Sequence, residues 1–135
     1  MTYQWHIFLA SLDPTQGSEQ AGRRPVLVIS REEINQLLPV VNVLPLTSRK
    51  SAARAIYPNE VLLPAGSAGL SADSIALCYQ IRTLDKSRLE RGWVASAVGQ
   101  TRYFVWACEN PFCMAAPRQW YNTRAERGLE VKRGA

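Results

Sequence analysis

Apolar residues along this chain fall in short runs separated by turn-forming residues, the pattern of strands rather than of long helices. Trp5 to Leu12 is the first run, followed by Pro25 to Ser30, which is rich in Val and Ile. Val40 to Ser48 is a third, in which Pro45 has no N–H to give a neighbour and so predicts an edge or a bulge. Glu60 to Pro64 reads as a fourth strand and Ser74 to Arg82 as a fifth, with Ala65 to Gly69 turning between them. Arg31 to Leu38 predicts a short helix, with Ser30 as N-cap, Glu32 and Glu33 in the first turn, and Pro39 as its stop. Leu84 to Arg91, a mix of Glu, Lys and Arg, predicts a second short helix. Trp93 to Val98 reads either as a further strand or as the start of a helix. Tyr103 to Cys108 is aromatic and apolar, and from Glu109 no period is sustained. The fold class expected is therefore mainly β with short helices, a compact barrel rather than a parallel sheet. It occupies residues 1–98, and 99–135 form an atypical, irregular, weakly ordered segment.

At 135 residues the chain is long enough to bury a core without staples. Sixteen Lys and Arg against eleven Asp and Glu leave +5, and thirteen of the sixteen are Arg. Arginine grips phosphate with a planar fork where lysine offers a point charge, so the balance mildly favours an anionic partner such as nucleic acid. Cys78, Cys108 and Cys113 are odd in number and lack the paired spacing of a zinc site. Cys78, in an apolar run, is expected to be a buried thiol. No run approaches the ~18 apolar residues of a membrane span, and the N-terminus lacks a secretory pattern, so no membrane partner is expected and a reducing cytoplasm is.

The unusual element is the stretch from Asp13 to Pro25, a dozen residues between two strands where hairpin loops run to roughly 2–5. It carries Glu19, Arg23 and Arg24 among glycines, a composition suited to a phosphodiester. His6 is the only histidine, so a two-histidine nuclease mechanism is unavailable. There is no phosphate-binding glycine loop, dinucleotide fingerprint or zinc-helix motif, which leaves no cofactor and no metal expected. What remains is Glu19 with Arg23 and Arg24, the hydroxyls Thr47 and Ser48 at a strand end, and the polar run Gln80-Ile81-Arg82-Thr83. In a small barrel the first loop and the end of the third strand can lie side by side. A carboxylate there suits proton abstraction from a ribose 2′-hydroxyl, and a guanidinium suits the charge that builds on phosphorus. The same residues also read as an exposed ion pair, a β-branched strand residue and a solvated strand face.

The run from Leu12 to Val28 resembles the signature of the MazF/PemK toxins of bacterial toxin–antitoxin systems. Two further blocks follow in that family's order, Val43-Leu44-Pro45-Leu46-Thr47-Ser48 and Gln80-Ile81-Arg82-Thr83-Leu84-Asp85-Lys86, and Pro58-Asn59-Glu60-Val61 fits another segment. The resemblance covers roughly residues 5–91. It implies an SH3-like barrel of the MazF/PemK/CcdB kind that forms a homodimer. It also implies a metal-independent, sequence-specific endoribonuclease that cleaves single-stranded mRNA through its 2′-hydroxyl and arrests growth. A cognate antitoxin protein would neutralise it, and operator DNA would be bound only through the antitoxin complex. By position, Arg24 and Thr47 match the family's catalytic arginine and threonine, and Glu19 a loop carboxylate implicated in some members. Gln80 falls in the groove-lining strand, and Arg23, Ser48 and Arg82 are further expected substrate contacts. Tyr79 stands where many members have Asp or Glu, and Ser18 where some have histidine. Residues 99–135 do not show the amphipathic helix that usually ends the family's chains. The alternatives are a gyrase-poisoning toxin on the same barrel, without nuclease chemistry, and an inactive remnant that still binds antitoxin or RNA.

Overall fold

The computed structural model describes residues 1–57, 60–66 and 69–97. The expectations for Cys108, Cys113, Tyr103 to Cys108 and 99–135 lie outside the described residues. Among the described residues seven strands form: β1 (His6–Ser11), β2 (Arg23–Val28), β3 (Val40–Ser48), β4 (Glu60–Leu63), β5 (Ser74–Leu77), β6 (Arg82–Asp85) and β7 (Leu89–Ser96). One helix, α1 (Glu32–Leu37), lies between β2 and β3. Every pairing among these strands is antiparallel, in the order β4-β5-β3-β2-β1-β7, with β6 also on β3. The mainly β class therefore stands. The path is not closed, and the arrangement is barrel-like rather than a sealed barrel.

Both faces of the central strands are buried, which is why these strands read as continuous apolar runs. Ile7, Leu27, Leu44 and Leu46 enter one core cluster, joined by Leu63 and Cys78. Phe8, Val26, Val28, Val41 and Val43 enter a second, joined by Leu84 and Leu89. Alternation along each strand sends neighbours to opposite clusters. Cys78 is a fully buried thiol, as expected.

Four local expectations are corrected. Pro45 lies on the inner strand β3, not at an edge. Ile29 N–H donates to Asn42 O at 2.9 Å, so even positions of β3 bond towards β2 and position 45 faces the other side. There β6 pairs as far as Val43 and β5 begins at Leu46, so the missing N–H falls where the partner changes. That interruption also splits the expected Ser74–Arg82 strand: after Leu77 the chain turns through Cys78–Gln80 and rejoins β3 as β6. Leu84–Arg91 is not a helix but parts of β6 and β7 joined by a turn at Lys86–Arg88. Leu84 and Leu89 are both buried in one cluster, whereas five helical steps of ~100° would leave them ~140° apart. Finally, the N-cap of α1 is Arg31, and the Ser30 hydroxyl instead donates to the buried Asn35 and accepts from Asn42 N–H. The run from Trp93 resolves as strand, within β7.

Candidate active site at the ends of β2 and β3

Strand register brings the first two candidates together. Val28↔Val43, Leu27↔Leu44 and Val26↔Pro45 are paired, and two steps further the same register sets Arg24 opposite Thr47. The Arg24 Nη1 lies 3.4 Å from Thr47 Oγ1, a long hydrogen bond, while Nε donates to Ala21 O at 2.7 Å. A guanidinium has five N–H donors, so this pinned group keeps others for a ligand. Arg24 and Thr47 are half-buried at an open cavity of about 400 Å³, whose lining also includes Gly22, Ser48 and Ser74. Gly22 sits at φ +78°, the left-handed region that suits glycine, and its N–H donates to Asp13 Oδ1.

Glu19 lies elsewhere. It is exposed, its carboxylate accepts Gln16 N–H at 3.1 Å, and it lines a second cavity of about 610 Å³ with Ser18, Tyr79, Gln80, Ile81 and Arg82. The stretch 18–24 borders both cavities, so the two are neighbours along one loop. Gln80 and Arg82 turn their polar ends to that loop. Gln80 Oε1 accepts Gln20 N–H at 2.9 Å and its Nε2 lies 3.4 Å from Ser18 O. Arg82 Nη1 donates to Leu12 O at 2.8 Å. Arg88, which the sequence reading passed over, donates to Asp13 O at 2.7 Å and Ser11 O at 3.3 Å. Three successive carbonyls at the loop's entrance are thus held by two arginines.

Arg23 borders the same cavity as Arg24, but its guanidinium is engaged elsewhere. Alternation sends consecutive strand residues to opposite faces, so Arg23 reaches across β1 to Glu90 on β7, forming a fork–fork pair at 2.7 and 2.5 Å. The hydrogen bond with Glu90, then its charge, raises the Arg23 pKa, and the same bond lowers that of Glu90. Both groups are solvent-exposed, so the pair adds little to stability. Ser48 is exposed at the first cavity. Ser74 and the Ala21 carbonyl were missed because only the pairing of distant strands places them there. His6 Nδ1 lies 2.9 Å from Gln4 O, and His6 lines neither cavity. Among the described residues no three His, Cys, Asp or Glu side chains gather to hold a metal, and no helix is long and apolar enough to cross a membrane.

A small antiparallel β protein with an arginine and a hydroxyl converging on an open cationic cavity defines a class suited to phosphodiester ligands. Residues 3–101 match the PemK-like, MazF-like toxin of type II toxin–antitoxin systems, and the chain belongs to that family. It is 43% identical over 84 residues to the endoribonuclease MazF of Staphylococcus saprophyticus, covering 62% of this chain and 68% of that one. The crystal structure of MazF from Deinococcus radiodurans superposes with a TM-score of 0.61 at 34% identity, covering 77% of this chain and 86% of the other. A MazE–MazF structure from the same organism gives a TM-score of 0.56 at 28% identity, over 93% and 95% of the two chains.

Proposed function

We propose that this toxin is an endoribonuclease that cleaves single-stranded mRNA at particular sequences by attack of a ribose 2′-hydroxyl on the adjacent phosphorus. The P–O5′ bond breaks, leaving a 2′,3′-cyclic phosphate on one product, while the departing 5′-oxygen takes a proton from Arg24 as general acid or from solvent and leaves as a 5′-hydroxyl. The observation that carries this reading is the convergence of Arg24 and Thr47 on one cavity. Arg24 stabilises the charge that accumulates on the non-bridging oxygens, held in aim by the Ala21 carbonyl. Thr47 adds a hydroxyl hydrogen bond to the same phosphate, and Ser48 extends it. Glu19 takes the proton from the 2′-hydroxyl of a nucleotide lying between the two cavities. Arg23 meets a flanking phosphate by exchanging its Glu90 partner, and Gln80 and Arg82, which line the second cavity, contact the substrate there while holding the loop it crosses. None of these steps draws on a metal or cofactor.

The proposal extends to assembly. The chain is a homodimer in the cytoplasm, residues 1–98 being the toxin domain. A cognate antitoxin covers the cationic cavity, and operator DNA is bound only through that complex. The MazE–MazF structure of a relative supports an antitoxin partner. A gyrase-binding toxin requires neither Arg24 nor Thr47, and nothing at the cavity favours it. The test is cleavage of a labelled single-stranded RNA in EDTA by the purified protein and by Arg24→Ala. One well-placed donor is worth ~10²–10³ in rate, so the variant should be slower by about that factor. Near wild-type cleavage by Arg24→Ala refutes the assignment.

A further inference from the structure

The second cavity has a floor that the proposed chemistry does not use. Tyr79 is 45% exposed and Ile81 38% exposed, a ring and a branched aliphatic side chain left in water on either side of Gln80. Exposed apolar side chains gathered in one concave place mark a binding surface more often than do single ones. Their segment is braced, because Gln80 is tied to the backbone at Ser18 and Gln20. At about 610 Å³ the cavity lies within the size range of small-ligand sites and admits a nucleobase. Ser18 and Glu19 wall it and Ala21 to Arg24 wall the phosphate cavity, so one short loop borders both.

We propose that Tyr79, with Ile81 beside it, is a stacking platform for an unpaired base of the RNA next to the scissile linkage. The inference rests on the endoribonuclease reading and adds a residue to it. Stacking on an aromatic ring is available to any base and involves no phosphate charge, so it contributes affinity without contributing to salt dependence.

The experiment measures binding of a fluorescein-labelled, single-stranded oligoribonucleotide, 2′-fluorinated so that it is not cut, to the full-length protein over a salt series. Wild type is compared with Tyr79→Ala, Tyr79→Phe and Tyr79→Trp. One lost stack corresponds to a weakening of about 5- to 140-fold for Tyr79→Ala. The slope of log Kd against log salt should stay at the wild-type value. Tyr79→Phe and Tyr79→Trp should bind within about threefold of wild type, since either ring supplies the same stack. Unchanged RNA binding by Tyr79→Ala overturns the proposal, and so does a loss that Phe and Trp fail to restore or that comes with a changed salt slope. A variant weakened only towards the antitoxin also overturns it. If the wild-type protein binds no RNA, the endoribonuclease reading falls and takes this inference with it.

Discussion

Replacing Arg54 by alanine should destabilise the protein far more than its surface position suggests. The Glu60 side chain is completely buried at the start of β4, whereas Arg54 is about one-third exposed. Both Nη atoms of Arg54 donate to the carboxylate at 2.9 Å, and Tyr57 N–H adds a third bond at 3.0 Å. Without the guanidinium, a buried negative charge keeps one backbone donor among these three. Removing one partner of a buried pair costs ~3–5 kcal/mol, and the water that reaches Arg54 puts this pair at the low end, about 3 kcal/mol. For a domain of this size, at ~4 °C per kcal/mol, Tm should fall by about 12 °C at pH 7. Thermal unfolding followed by circular dichroism reads this directly. Substituting both partners, Arg54→Met with Glu60→Leu, should recover much of the loss because no charge is left buried. A Tm for Arg54→Ala within two or three degrees of wild type, or a double variant no more stable than Arg54→Ala, refutes the reasoning.

Two further outcomes are expected. Thr47→Val keeps the shape of the strand residue and removes its hydroxyl, so kcat on RNA should fall about 10-fold while Thr47→Ser retains most activity; equal rates for Val and Ser would remove Thr47 from phosphate binding. Glu32 accepts N–H bonds from Tyr3 and Gln4 at 2.8–3.0 Å. Desolvation pushes its pKa up, but those bonds with that from Gln36 outweigh it, and the net direction is down. A depressed carboxylate stabilises the fold above its unfolded pKa of ~4.3, and the benefit disappears as pH falls through the folded value. Glu32→Gln should therefore cost about 1 kcal/mol at pH 6–7 and progressively less below pH 4, read by urea titration at several pH values; a cost that grows towards acid contradicts the sign.

What the sequence disclosed and what it concealed divide along one physical line, between local pattern and distant pairing. β3 runs Val40–Ser48, the range its apolar pattern sets, and β1 lies within the Trp5–Leu12 run. The convergence of Arg24 and Thr47 was legible in outline from the barrel reading, which sets the first loop beside the end of the third strand, and the ordered blocks that resemble a known family singled out the two residues. Register explains it afterwards. The hydrogen bonds of Gln80 and Arg82 were hidden, because chain order cannot show that their polar ends meet the backbone of residues 12–20. The divergence of Arg23 from Arg24 was readable in principle, since adjacent residues of a strand face opposite ways. Leu84–Arg91 misled because charged residues with good helix propensity outweighed two leucines whose spacing does not suit a helix. Tertiary burial of Leu84 and Leu89 decided the matter.

The most direct measurement uses a single-stranded RNA that the protein cuts at one site, compared with the same strand carrying a 2′-deoxynucleotide immediately 5′ of the cut. The expected result is loss of cleavage at that linkage, with the all-ribose strand yielding a 2′,3′-cyclic phosphate and a 5′-hydroxyl in the presence of EDTA. Cleavage of the deoxy-substituted linkage at an undiminished rate would contradict the account, because the attacking group would then be something other than the neighbouring 2′-hydroxyl.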